Sequence, residues 1–263
     1  MPEKGVALIT GASAGIGAAY AAILAARGYD LVLVARDHVR LEAASAALRG
    51  STDVAVEVLP ADLTRPADLR RVERRLLRDD ISVLVNNAGI AVPGRLVDMP
   101  PDRLEAMLLL NVLASTRLAR AVAPGFVARG RGDIINVGSV VGLNADRPGI
   151  SAVYTASKAY LLALSEGLQN ELGRAGVRVQ AVLPGMTRTE IWEKANIDID
   201  ALAADRLMGA EVMVEAALRG LDLGERVTIP SLPDIADWLS FMAAREALRP
   251  NLSRSEAADR YGD

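Results

Sequence analysis

The sequence predicts an α/β protein built on a doubly wound parallel sheet of about seven strands with helices on both faces. Three observations carry this. Short apolar runs alternate with longer helical ones, a glycine-rich turn stands where the first strand meets the first helix, and no repeat, low-complexity stretch or Ser/Gly/Pro-rich linker breaks the alternation. The strand-like runs are Val6 to Ile9, Leu31 to Val34, Val54 to Leu59, Ile81 to Val85, Ile134 to Val137, Val177 to Leu183 and Val227 to Ile229. Helices are expected over Gly15 to Arg27, Val39 to Leu48, Pro66 to Arg78, Asp102 to Arg129, Ala152 to Leu172, Ala210 to Leu221 and Asp234 to Leu248. A chain of 263 residues suffices for one large α/β domain, so 1–263 is read as a single domain, with a lid over about 186–210 and an extension over about 230–263.

Composition removes several classes of function. A net charge of -3 and a pI near 5.4 provide no basic field for nucleic acid or an anionic membrane, and neither partner is expected. There is no cysteine and one histidine, His38, so disulfides are excluded and the nitrogen and sulfur ligands of a zinc site cannot be assembled. A Ser-His-Asp hydrolase would need His38 as its base, and no nucleophile elbow accompanies it. The first strand begins almost at once and no uninterrupted apolar run is long enough to span a bilayer, which leads to the expectation of a soluble, cytoplasmic protein.

The first turn reads Thr10-Gly11-Ala12-Ser13-Ala14-Gly15-Ile16-Gly17, spaced G-x-x-x-G-x-G. Glycines let a backbone approach a pyrophosphate, and the helix that follows offers unpaired N–H groups and a partial positive charge. At the end of strand two stands Arg36, where a carboxylate would hold the ribose of NAD. A guanidinium there suits the extra phosphate of NADP, although a slip of one residue would restore an acid, Asp37. His38 is expected to be exposed beside the adenosine.

Strand four ends in Asn86-Asn87-Ala88-Gly89, whose amides can satisfy backbone groups where strands splay. Asn111 is a poor helix former inside an apolar helix, so it either relieves a kink or ties up water and backbone. Strand five ends in Ser139, a hydroxyl aimed at the crevice where such sheets bind ligands, suited to donating to a carbonyl oxygen as charge grows there. Strand six ends Pro184-Gly185-Met186-Thr187-Arg188-Thr189, and Glu190 to Met208 mixes apolar and charged residues as a lid does.

The helix from Ala152 sets Tyr154 and Lys158 one turn apart. The chain has only three lysines, Lys4, Lys158 and Lys194, with arginine supplying the other positive charge, so a compact ammonium at 158 points to chemistry. An ammonium ~4 Å from a phenol favours phenolate by roughly 4 kcal/mol before desolvation opposes it, which would lower the phenol by at most about three pH units. Such a tyrosine exchanges protons with an alcohol or a developing alkoxide near neutrality. Ser151, three residues before Tyr154, is an alternative hydroxyl or the N-cap of this helix.

Together these residues resemble the short-chain dehydrogenase/reductase family, over about Val6 to Thr189 with a family-like tail to Leu248. The resemblance implies a Rossmann-type sheet and hydride transfer between nicotinamide C4 and a carbonyl or secondary alcohol. It assigns Asn111, Ser139, Tyr154 and Lys158 to catalysis: Tyr154 as acid/base, Lys158 tuning it and binding the nicotinamide ribose, Ser139 polarising the carbonyl and Asn111 holding a relay water. It assigns Gly11, Ser13, Gly15, Ile16, Gly17, Arg36, Asp62, Leu63, Asn87, Tyr154, Lys158, Thr187 and Thr189 to the cofactor, NADP with NAD as the alternative. It implies a homodimer or homotetramer through Asp102 to Arg129 and Ala152 to Leu172. The Ser139 to Tyr154 gap is about two residues longer than the family pattern, through Asn144 to Ile150. A substrate wall of Val141, Leu143, Met186, Ile191 and Trp192 would take an apolar or aromatic ketone or aldehyde. A methyltransferase, a non-catalytic cofactor-binding regulator and an epimerase or dehydratase are the competing readings.

Overall fold

The computed structural model describes residues 4–145, 151–189 and 206–262. Seven strands, β1 (Val6–Thr10), β2 (Asp30–Ala35), β3 (Val56–Pro60), β4 (Ile81–Asn86), β5 (Gly132–Val137), β6 (Val177–Val182) and β7 (Val227–Thr228), form one sheet in the order β3-β2-β1-β4-β5-β6-β7. Every pairing is parallel. The chain winds outward from β1 in one direction and from β4 in the other. The crevice at their carboxyl ends is therefore the switch point where ligands bind in sheets of this kind.

Alternation along β1 divides the core. Ala7 and Ile9 pack under α1 (Gly15–Ala26), α2 (His38–Ser51) and α7 (Ala210–Asp222), while Val6 and Leu8 face α3 (Pro66–Leu76) and α5 (Ser115–Arg129). Both layers are almost fully apolar, as a sheet buried on two faces requires. Gly17 shows how close α1 lies to the turn: a Cβ there would sit 2.2 Å from the Gly11 carbonyl oxygen.

The expected helix from Asp102 to Arg129 departs from an uninterrupted α-helix. It runs as α4 (Pro101–Leu108), a π-helical turn (Leu109–Ala114) and α5. The widened turn includes Asn111, whose side chain bonds both backbone groups of Ile90. The whole run Pro101–Arg129 has the length and hydropathy of a membrane span. Its face bearing Leu118, Ala119, Val122 and Phe126 nevertheless lies in the core against the sheet.

By its contacts the chain divides into Met1–Pro230 and Ser231–Asp263. The second unit holds α8 (Ile235–Ala247), capped by the Asp234 carboxylate, which accepts from Ala236 N, and a Trp238–Phe241 stack with centroids 5.4 Å apart.

Candidate active site

The floor of the crevice is backbone. Gly11 (φ 68°) and Gly15 (φ 54°) adopt left-handed conformations open to glycine, and Ala14 stands at the N-cap of α1 with no side-chain cap, no acid following in the first turn. A Cβ at Gly15 would lie 3.0 Å from Thr189 Cγ2, which places Thr189 over the turn. Ser13 is half-buried in the turn, and Ile16 packs into the core. Thr10, outside the expected cofactor set, latches the two sides of the switch point. Its hydroxyl donates to Val85 O (3.2 Å) and accepts from Asn87 N and Ala88 N (3.0 Å each). Asn87 completes the latch, donating to Thr10 O (2.8 Å) and Gly11 O (3.3 Å). An uncapped helix N-terminus above a glycine floor fits a pyrophosphate, and these residues match a dinucleotide in shape and charge.

At the adenosine end the structure separates two residues that the sequence left ambiguous. Asp37 caps α2, its carboxylate accepting from Arg40 N (3.0 Å) and lying 3.7 Å from Arg40 Nε. Arg36 is exposed and forms no ion pair among the described residues. His38 is also exposed, with Nε2 3.2 Å from Glu42 Oε1. Asp62 accepts from the amide (3.0 Å) and hydroxyl (2.7 Å) of Thr64, so its position is set. Leu63 is buried in the core, so only its main chain is available to a cofactor.

The four residues expected to be catalytic lie on three elements. Ser139 follows β5 and caps the short 3₁₀ turn Val140–Leu143; its hydroxyl accepts from Val141 N (3.3 Å) and donates to Pro184 O (3.4 Å). Contacts that long hold it loosely. Tyr154 and Lys158 stand in the first turns of α6 (Ala152–Leu172), where Ser151 is the N-cap, accepting from Tyr154 N at 3.4 Å. Lys158 is buried, donates to Val137 O (3.0 Å), and has its Nζ 5.8 Å from the centre of the Tyr154 ring. A Cβ on Gly89 would meet Asn111 Oδ1 at 3.2 Å and Lys158 Nζ at 3.6 Å, so glycine keeps this junction open.

Electrostatics here reverse the expected direction for the phenol. Burial pushes Tyr154 up to about 12 and pulls Lys158 down to about 8. Attraction to the ammonium alone would lower the phenol, but with Lys158 buried and Tyr154 half-buried against apolar side chains the loss of hydration dominates. Burial thus favours the O–H form of Tyr154 over the phenolate.

Around Tyr154 lies an apolar cluster absent from the expected substrate wall: Ile90, Val92, Met99, Leu104, Met107 and Val153. All but Val153, which is on α6 itself, come from the loop after β4 and from α4, segments whose meeting with α6 no local pattern announces. Of the expected wall, Val141, Leu143 and Met186 are half-buried, while Ile191 and Trp192 lie outside the described residues, as do most of the lid and 146–150 of the longer loop. The described ends of the expected lid segment meet: Thr187 bridges Met208 in parallel, Arg188 N donates to Met208 O (2.9 Å) and Met208 N to Met186 O (3.0 Å).

A doubly wound sheet with a glycine turn at its switch point and a Tyr/Lys pair above it defines a dinucleotide-dependent oxidoreductase. The chain belongs to the short-chain dehydrogenase family, whose family model matches residues 5–200. A short-chain dehydrogenase from Sphingobium yanoikuyae, solved in complex with NADPH, is 52% identical with a TM-score of 0.94, over 98% of this chain and 99% of that one. The bulky-bulky ketone specific alcohol dehydrogenase of Comamonas testosteroni is 43% identical with a TM-score of 0.89, over 98% of this chain and 99% of that one. A very-long-chain 3-oxoacyl-CoA reductase of Pyrenophora tritici-repentis is 35% identical over 72% of this chain but only 56% of its own length.

Proposed function

We propose that the protein is an NADPH-dependent reductase of bulky apolar ketones, operating reversibly on the matching secondary alcohols. The observation that carries this is a half-buried Tyr154 packed against the Ile90, Val92, Met99 and Met107 wall, with the buried Lys158 one turn away. The relatives named for NADPH and for a bulky ketone substrate support both halves of the reading.

The cofactor supplies a hydride to the carbonyl carbon, and the chain supplies everything else. Its glycine turn and α1 would receive the pyrophosphate, and Arg36 would meet the 2'-phosphate with a charge-assisted contact. Ser139, loosely held, swings its O–H onto the carbonyl oxygen; Tyr154 transfers its phenolic proton to that oxygen as negative charge builds there. Lys158 stands to compensate the resulting phenolate with its ammonium and to reach the nicotinamide ribose. The apolar wall excludes water and offers no cation to an anionic substrate.

The test is loss of NADPH absorbance with a panel of dialkyl, aryl-alkyl and diaryl ketones beside short and anionic carbonyl compounds. Turnover confined to anionic substrates would falsify the bulky-ketone reading. A homodimer or homotetramer in the cytoplasm belongs to the same proposal, since Leu113 of the π-turn, Val127 of α5 and Tyr160 of α6 leave 43%, 42% and 37% of their surface exposed. Light scattering at micromolar concentration checks assembly, and a monomer refutes it.

A further inference from the structure

We propose that Ser157 is a positioning residue of this site, its hydroxyl locking the Asn111 carboxamide to the helical turn that carries Tyr154. The inference rests on the reading of Tyr154 as proton donor. Asn111 and Ser157 are each 1% exposed, so neither side chain can turn to water for a substitute partner. Asn111 Oδ1 accepts from Ile90 N (2.9 Å), and Nδ2 donates to Ile90 O (3.0 Å) and to Ser157 Oγ (3.1 Å). Ser157 Oγ in turn donates to Tyr154 O (2.7 Å).

The two bonds to Ile90 decide which way the amide faces, because flipping it would set N–H against N–H and oxygen against oxygen. Its second N–H then points to Ser157. The carboxamide is thereby a bracket joining the loop after β4 to α6, and both of its N–H groups are engaged. A water beside Asn111 has no N–H of that side chain to accept from; the main-chain oxygen, which already accepts from Ser115 Oγ (3.2 Å), is the place left for it. Ile90 belongs to the apolar wall beside Tyr154. The Ile90, Asn111, Ser157, Tyr154 chain therefore sets the gap between the phenol and the surface on which a ketone lies, and small displacements of a reacting group cost rate steeply.

Alanine at 157 keeps the helix but strips the acceptor from a buried N–H. We expect kcat to fall about ten-fold or more while NADPH affinity stays within about two-fold, since the glycine turn and Arg36 are untouched. Ser157→Thr retains the hydroxyl and should recover most of kcat. Because Ser157 acts through Asn111, Ser157→Ala added to Asn111→Ala should cost little beyond Asn111→Ala alone. Hydrogen exchange reads the same link without turnover: the amides of 87–92 should exchange faster in Ser157→Ala. If that variant does not fold, Ser157→Cys, a weaker acceptor of similar size, is measured in its place.

An unchanged kcat in Ser157→Ala, alongside an inactive Tyr154→Phe, overturns the positioning role and leaves the reductase reading standing. Additive losses with Asn111→Ala, or a threonine no better than alanine, also overturn it. If the parent protein reduces no carbonyl compound, the reductase reading fails and the exchange at 87–92 decides the bracket by itself: faster exchange supports it and unchanged exchange overturns it.

Discussion

The two ends of the sheet treat their polar groups in opposite ways. At the amino ends of the strands a recess of about 590 Å³ is rimmed by charge, yet its charges largely consume one another. Arg178 is bidentate to Asp133 (2.6 and 2.7 Å), Arg129 meets Asp79 at 3.1 Å, and Arg75 bridges Glu57 and Asp80 at 2.8 Å. At the carboxyl ends the groups are instead left ready for a ligand: an uncapped helix, a loosely held Ser139 hydroxyl, an exposed Arg36 and a lysine whose ammonium is partly desolvated. At one end the charged groups pair with each other, and at the other the polar groups are held by few partners or none. The comparison is testable because substitutions at one end should alter folding and at the other end turnover.

The largest expected effect is at the carboxyl end. Tyr154→Phe should lower kcat on the order of 10² to 10⁴-fold while leaving NADPH affinity nearly intact, whereas Lys158→Ala should impair both. Cofactor titration by fluorescence beside steady-state rates separates the two, and substantial activity in Tyr154→Phe would show that another group is the acid. At the amino end, Arg178→Ala leaves the Asp133 carboxylate, only 9% exposed, without its bidentate partner. Since Arg178 is itself half exposed, solvent softens the loss to about 2 kcal/mol of stability, with kcat unchanged. Denaturant melts and rates on the same preparation decide whether the two ends are independent.

Arg36→Asp should remove a contact worth about 1.5 kcal/mol at an exposed site and add repulsion, which inverts the NADPH over NADH preference. Asp37→Ala should leave that preference intact and cost about 1 kcal/mol of stability as a lost helix cap. Loss of discrimination in Asp37→Ala would mean that the acid reads the ribose. The smallest effect is a pH dependence of folding in the absence of cofactor. Lys158 is held near 8, below its unfolded value of 10.5, so between about pH 8 and 10.5 the unfolded chain binds the extra proton and stability rises with pH. The slope is bounded at roughly 1.4 kcal/mol per pH unit. Above pH 10 Tyr154 acts the other way, because its folded value near 12 exceeds its unfolded 10.0. Lys158→Met should flatten the rise between pH 8 and 10, and an unchanged slope in urea melts would place the titrating group elsewhere.

Much was legible in the sequence because it depends on local rules. Period and length gave seven strands to within one or two residues at most ends; Gly11, Gly15 and Gly17 fall where β1 hands over to α1, as expected; and the four-residue spacing of Tyr154 and Lys158 sets them one turn apart on a helix. Each of these is a property of a few consecutive residues, where backbone geometry alone decides what faces what. Other features needed the chain to close on itself. The π-turn holds Asn111, whose amide bonds the backbone of Ile90, 21 residues earlier, and the carboxylate of Asp37 caps α2 because of where that helix begins. The direction of the Tyr154 shift was likewise a tertiary matter. Coulomb attraction between neighbours can be estimated from spacing, whereas desolvation depends on Val92, Met99 and Met107 arriving from 47 to 62 positions earlier in the chain. The sequence by itself determined the fold and the family, through rules that act over a few neighbouring residues; only packing decided how far burial acts on the Tyr154 phenol and which side chains bond to Asn111.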